Sequence, residues 1–181
     1  IIVNYNITVL LRKCLQSIEH YLEGIRYEVI VIDNSSPDDS WKQLIDEFPN
    51  FDFIESSVNV GFAVANNVGV KKAKGEYVLL LNPDTELEGF YMKELLDFAD
   101  DQPKFGCLGV RMHNLKGEFL PESKRSVPDM FNSFEKLFTN FRKNNSKSYY
   151  RSDIAENEIA EVEVITGAFL LVKKDVYLEV G

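Results

Sequence analysis

Two stretches of the chain, YEVIVID (Tyr27 to Asp33) and EYVLLLN (Glu76 to Asn82), carry four aliphatic residues in succession and then end on a polar side chain. A strand with one face in water alternates apolar and polar residues. A strand without alternation is buried on both faces, so its sheet must be covered on both sides. Helical spacing fills the segments between the strands. Leu11, Leu15, Ile18 and Leu22 form one stripe, and Trp41, Leu44, Ile45 and Phe48 a second. NVGFAVANNVGVKKAKG reads as a helix entered through a glycine and closed by Gly75, and Phe90 to Ala99 as another. Short strands are expected at Ile1–Val3 and FDFIES. Strands alternating with helices predict an α/β fold, a Rossmann-like doubly wound and mostly parallel sheet joined by right-handed crossovers.

The pattern changes after Pro103. FGCLGVRMHNLKGEFL reads as two strands about an Asn114–Gly117 turn, Met130 to Phe141 as an amphipathic helix, and EVEVITGAFLLVKK as strand-like sequence broken at Thr166-Gly167. We therefore expect a ligand-binding α/β half over residues 1–102 and the start of a smaller β and helical region over 103–181.

At 181 residues, with 45% apolar and 27% charged residues, the composition is that of a globular domain. A formal net charge of -9 argues against an electrostatic grip on nucleic acid, so no nucleic-acid partner is expected. It also means that a polyanionic ligand needs a bound cation to offset the repulsion. No apolar run reaches the ~18–20 residues of a membrane span. The chain begins with IIVNYN, without a methionine, a basic segment or a cleavage site, so we expect no signal peptide and a start inside a longer gene product. Two cysteines, Cys14 and Cys107, form no framework and suit a reducing compartment; a cytoplasmic location is expected.

Open parallel sheets bind ligands beyond the carboxyl ends of their strands. Three such ends are polar here: Asn4-Tyr5-Asn6, Asp33-Asn34 and Asn82-Pro83-Asp84. Tyr5 offers a flat face to a nucleobase, or packs as a rim residue. Asp33 can accept a hydrogen bond from a ring N–H, or serve as a turn residue. Asn82 and Asp84 can hold a ribose hydroxyl and a hard cation. Magnesium and manganese take oxygen ligands, retain waters and complete their shell with substrate phosphates, so one protein carboxylate is enough.

The stretches IIVNYN, VIVIDNSSPDDS, NVGFAVANNVG, GEYVLLLNPDT and TGAFLL stand in an order and spacing that resembles family 2 glycosyltransferases of the GT-A fold, in particular the bacterial rhamnosyltransferase-like branch. The resemblance covers nearly the whole chain. It implies an inverting, metal-dependent transferase that moves a sugar from a nucleoside-diphosphate sugar, on UDP or dTDP, to a saccharide or lipid-linked acceptor in cell-envelope polysaccharide synthesis. It implies further that Tyr5 and Asp33 hold the base, and that Asn59, Gly61, Asn66 and Asn67 shape the nucleotide and sugar side. Asn82 joins the nucleotide site and Asp84 becomes the ligand of Mn2+ or Mg2+, the pair standing where the family has its Asp-x-Asp motif. Gly167 and Ala168 fall on the acceptor side.

The chain departs from that pattern twice. Asn82 replaces the first acid. The catalytic base of the family lies downstream of Gly-Ala, so it is expected after Gly181, in a chain truncated at its C-terminus; Asp175 and Glu179 stand too early and read as helix-start and surface acids. A donor-binding module without turnover is therefore one alternative. A sugar-nucleotide pyrophosphorylase is another, weakened by the absence of glycine in NYNITVLLRK. His20 and His113 read as surface residues, since one histidine without partner ligands makes no metal site. Arg125 is a phosphate contact or an exposed loop charge. The face Phe131, Phe134, Phe138 and Phe141, with Lys136, Arg142 and Lys143, packs on other sequence or lies on the inner face of a membrane near a lipid-linked acceptor.

Overall fold

The computed structural model describes residues 1–123 and 154–180. Arg125, the Met130 to Phe141 segment with Lys136, the basic pair Arg142 and Lys143, and Gly181 lie outside the described residues. The chain forms two compact units, Ile1–Leu108 with Gly167–Gly181, and Gly109–Thr166.

The first unit is built on a six-stranded sheet in the order β3-β2-β1-β4-β6-β5. Its strands are β1 (Ile2–Asn4), β2 (Ile30–Asp33), β3 (Asp52–Glu55), β4 (Tyr77–Leu81), β5 (Cys107–Leu108) and β6 (Phe169–Lys173). Its helices are α1 (Thr8–Tyr21), α2 (Gln43–Glu47), α3 (Phe62–Lys72), α4 (Met92–Asp100) and α5 (Lys174–Val180), with a 3-10 turn over Ser40–Lys42 leading into α2. The four strands β3, β2, β1 and β4 are parallel, as the uninterrupted apolar runs predict. β6 is inverted, antiparallel to both β4 and β5. That inversion has a positional consequence. Leu81, the last residue of β4, pairs with Phe169, the first of β6. The start of β6 is thus brought to the carboxyl edge of the parallel strands.

Burial follows the sequence pattern. All four residues of β2 are buried, whereas the edge strand β3 is half-buried at its centre and exposed at its ends. Leu11, Cys14, Leu15 and Ile18 bury the apolar stripe of α1. Fully burying a side chain of this size contributes ~1.5–3 kcal/mol. α3 packs close to the sheet. A Cβ on Gly69 would stand 2.5 Å from Ile1 Cγ2 and 2.9 Å from Ile32 Cδ1, so only glycine lets the helix settle at this height.

Several element boundaries differ from the sequence expectation by a few residues, the helix expected over Phe90 to Ala99 running Met92–Asp100 among them. β2 begins at Ile30 rather than Tyr27, and just ahead of it the Glu28 carboxylate accepts the amides of Lys74 and Gly75 beyond α3. The same contact finds Gly75 outside the helix it was expected to close: α3 ends at Lys72, and Ala73 is already extended. In the second unit the Asn114–Gly117 turn forms, with Gly117 at φ +76° and the Asn114 Oδ1 accepting the amides of Lys116 and Glu118. Of the two strands expected around it, Cys107–Leu108 joins the main sheet as β5, and a single His113–Phe119 bridge flanks the turn itself. Arg111 pairs with Glu156 at 3.2 Å in the same unit. No helix among the described residues is long and apolar enough to cross a membrane.

Candidate active site at the carboxyl edge of the sheet

Register brings the first two polar strand ends together. Asn4 and Asp33 are Cα partners at the last rung of the β1–β2 ladder. Asp33 is almost completely buried, and three donors converge on its carboxylate. Oδ1 accepts from Asn4 Nδ2 at 2.7 Å and Ser36 Oγ at 2.6 Å, and Oδ2 accepts the Ser36 amide at 2.9 Å. Ser36 Oγ in turn accepts the Asn6 amide at 2.9 Å, which ties the loop after β1 to the loop after β2. Both loops need this tie, since Asn6 and Ser35 hold left-handed backbone angles of +57° and +66° that cost non-glycine residues energy. Tyr5, between Asn4 and Asn6, stands half-exposed. The Asn4 Oδ1 is buried without a hydrogen-bond partner. A flip of that amide would set its oxygen against the Asp33 carboxylate, so the orphan acceptor is the lesser cost.

A second layer fixes the entrance to α3. Asn34 is buried; its Nδ2 donates to Asn59 Oδ1 and its Oδ1 accepts the Val60 amide, each at 3.0 Å. Asn59 Oδ1 also accepts the Gly61 amide, and Gly61 precedes the helix at φ +81°. Asn59 and Gly61 therefore set the chain's path into α3. Asn66 is buried and donates back to the Phe62 carbonyl, and Asn67 accepts the Tyr177 hydroxyl at 2.6 Å from α5.

The third strand end is the loop after β4. Asn82 donates its amide to the Ala168 carbonyl at 3.1 Å, and the Thr85 hydroxyl reaches the same oxygen at 3.4 Å. The Thr85 amide closes the turn on the Asn82 carbonyl, which also receives the Cys14 thiol at 3.8 Å from α1. Burial, reinforced by the nearby charges of Asp84 and Glu86, pushes that thiol up to about 12. Ser17, one turn further along α1, accepts the Leu87 amide at 2.9 Å. Asp84 stands exposed in the middle of this tethered loop, and no side-chain hydrogen bond or ion pair engages it among the described residues.

The structure thus joins Asn82 to Ala168, with Gly167 beside it, and joins Asn4, Asp33 and Asn59 through Ser36 and Asn34. Asn66 and Asn67 face different partners. Asp175 bonds the neighbouring Val176 amide at the start of α5, and Glu179 is exposed. His20 lies against Tyr21 and Phe90. Sequence reasoning missed Ser17, Cys14, Asn34 and Ser36 as supports. Ser17 and Cys14 did carry a signal, being small, weakly polar residues on the apolar stripe of α1.

The donor set at this edge suits a hard cation only in part. Asp84 supplies a free carboxylate and Asn82 a neutral amide, and no group of three His, Cys, Asp or Glu able to hold a metal occurs among the described residues. An ion here would need further oxygens from water and substrate, the coordination magnesium and manganese accept.

The sequence model of glycosyl transferase family 2 matches residues 1–176. This chain belongs to that family. The poly-beta-1,6-N-acetyl-D-glucosamine synthase of Staphylococcus epidermidis is 31% identical over 77% of this chain and 38% of its own length. The N-acetylglucosaminyl-diphospho-decaprenol L-rhamnosyltransferase of Mycobacterium tuberculosis is 25% identical over 84% of this chain and 54% of its own. The chain therefore spans between about a third and just over half of these two relatives. Among solved structures, S. aureus TarS 1-349 in complex with UDP superposes with a TM-score of 0.56 at 25% identity, covering 68% of this chain and 37% of that one. The mannosyltransferase PcManGT from Pyrobaculum calidifontis, in complex with GDP-Man and Mn2+, superposes with a TM-score of 0.64 over 99% of this chain and 45% of that one. At 18% identity the latter supports the GT-A fold alone. Membership of family 2 sets the pyrophosphorylase alternative aside.

Proposed function

We propose that this family 2 domain transfers a sugar from a nucleoside-diphosphate sugar, with Asp84 as the protein ligand of Mn2+ or Mg2+. The observation that carries the reading is the contrast between its two strand-end aspartates. Asp33 is buried with three donors on its carboxylate, whereas Asp84 is exposed, unpaired and mounted on a loop tethered on both sides. A carboxylate held ready and left free is what a metal that arrives with its substrate requires. The ion would supply counter-charge to the departing diphosphate.

The chain's own residues bind and orient. Tyr5 offers its exposed ring to the base. Asp33 takes the base N–H through Oδ2, which carries one hydrogen bond against two on Oδ1. Asn59, Gly61 and Asn66 shape the wall at the start of α3, and Asn82 reaches a ribose hydroxyl. Gly167 and Ala168 border the acceptor, a saccharide or a lipid-linked saccharide, as the names of the relatives suggest. Residues 1–102 then supply the donor half, and residues 103–181 begin the acceptor side. Inversion needs a carboxylate to take the acceptor's proton. We assign that role to none of the described acids and place it after Gly181.

The UDP complex of TarS supports a uracil-type base, although the mannosyltransferase neighbour carries GDP-Man. Competition among UDP, dTDP, GDP and ADP in the presence of Mn2+ tests the assignment. Tightest binding of UDP or dTDP is expected. Preference for ADP or GDP would contradict the pairing of Asp33 with a pyrimidine.

A further inference from the structure

We propose that Ser17, assisted by Cys14, is a positioning residue for the metal ligand: it fixes the backbone from which Asp84 reaches its ion. The inference rests on the reading of Asp84 given above. Because no side chain holds the Asp84 carboxylate, its position is inherited from the loop on either side. That loop is fastened to β6 by the Ala168 carbonyl and to α1 by two side chains. Cys14 donates to the Asn82 carbonyl before Asp84, and Ser17 accepts the Leu87 amide after it.

Ser17 is built for that task. Its hydroxyl hydrogen is committed to the Cys14 carbonyl at 2.7 Å, so the rotor is fixed and a lone pair faces Leu87. The side chain is buried on the stripe formed by Leu11, Leu15 and Ile18, where alanine would fit the helix better. A purely structural serine would satisfy the Leu87 amide and do nothing more. Its loss would weaken the fold without regard to metal. A positioning serine differs in one measurable respect: its loss reduces what the metal adds to nucleotide binding.

The experiment measures UDP affinity by calorimetry in Mn2+ and in EDTA, for the wild type, Ser17→Ala, Ser17→Thr, Cys14→Ala and Tyr77→Phe. The quantity read is the ratio of the two affinities. Ser17→Ala should lower it about tenfold, the lower end of what outer-shell partners of metal ligands are worth, with the EDTA affinity unchanged. Ser17→Thr keeps the hydroxyl and should restore the ratio. Should threonine's methyl prevent folding, Cys14→Ala serves instead, and a smaller drop is expected. Tyr77→Phe removes the bond to Asp100 at the far end of β4 and should leave the ratio alone. An unchanged ratio in Ser17→Ala, or equal losses in Mn2+ and EDTA, overturns the proposal while a wild-type Mn2+ effect keeps the Asp84 reading intact. A wild type indifferent to Mn2+ overturns both.

Discussion

The amide of Asn82 donates to the carbonyl of Ala168 at 3.1 Å, so the turn that begins β6 is bonded directly to the loop that carries Asp84. The link exists because β6 runs against β4 and starts where β4 ends. It joins the residues proposed for metal and acceptor through the main chain. Side chains there are correspondingly tolerant. A Cβ on Gly167 would meet Phe62 no closer than 3.5 Å, an ordinary contact. Gly167→Ala should fold with a melting temperature within a few degrees of wild type, a change of about 0.5 kcal/mol or less. A larger fall in a thermal scan would mean that the turn is more constrained than this packing allows.

Asp33 is expected to matter to stability before it matters to any ligand. Asp33→Ala removes the shorter of two acceptors from the buried Asn4 amide and the acceptor of the part-buried Ser36 N–H, and each such loss costs about 1–2 kcal/mol, toward the lower end for groups that keep another partner or some water. The expected loss in urea denaturation is therefore about 2–4 kcal/mol, large against ordinary domain stabilities. A loss under about 0.5 kcal/mol would contradict the view of this carboxylate as the junction of two strand-end loops.

The apolar runs made the parallel strands legible, and turn chemistry located all three polar ends. The inversion of β6 was not legible. FLLVK reads alike in either direction, and its place beside β4 depends on pairing between segments about 90 residues apart. The supports of the site stayed hidden for a similar reason. Ser36, Asn34 and Ser17 are ordinary turn or helix residues in one dimension, and act only through partners on other elements. Asp33 was legible as a strand-end acid, but its near-complete burial was not, since that depends on Asn4 and Ser36 closing over it.

Gly69→Val should lift α3 from the sheet. The added Cβ alone would come within 2.9 Å of Ile32 Cδ1 and 2.5 Å of Ile1 Cγ2. Overpacking of this kind costs about 1–3 kcal/mol. Chemical denaturation measures it, and a neutral result would mean that the helix rides freely over β1 and β2.

The two thiols should separate cleanly. Cys107 is exposed, with a pKa raised somewhat by partial desolvation, while Cys14 is buried and ionises only near 12. At pH 8 the Cys14 thiolate is about one part in ten thousand, so a thiol-reactive dye should label one cysteine in the native protein and two in denaturant. The same shift bears on stability. A thiol that ionises near 9 when unfolded and near 12 when folded leaves stability intact below pH 9 and erodes it between 9 and 12. Rapid native labelling of Cys14 would show that α1 does not seal against the Asn82 loop.

Whether Asp84 holds a divalent ion for the donor diphosphate is decided by calorimetric titration of UDP into wild type, Asp84→Ala and Asn82→Ala, each with Mn2+ and with EDTA. The wild type should bind more tightly in Mn2+. Asp84→Ala should lose that gain entirely, because the free carboxylate is removed and the diphosphate keeps its uncompensated charge. Asn82→Ala should keep the gain and lose about 1–2 kcal/mol in both conditions, the worth of a hydrogen bond. Equal wild-type affinity in Mn2+ and EDTA, or a full Mn2+ effect in Asp84→Ala, would contradict the account.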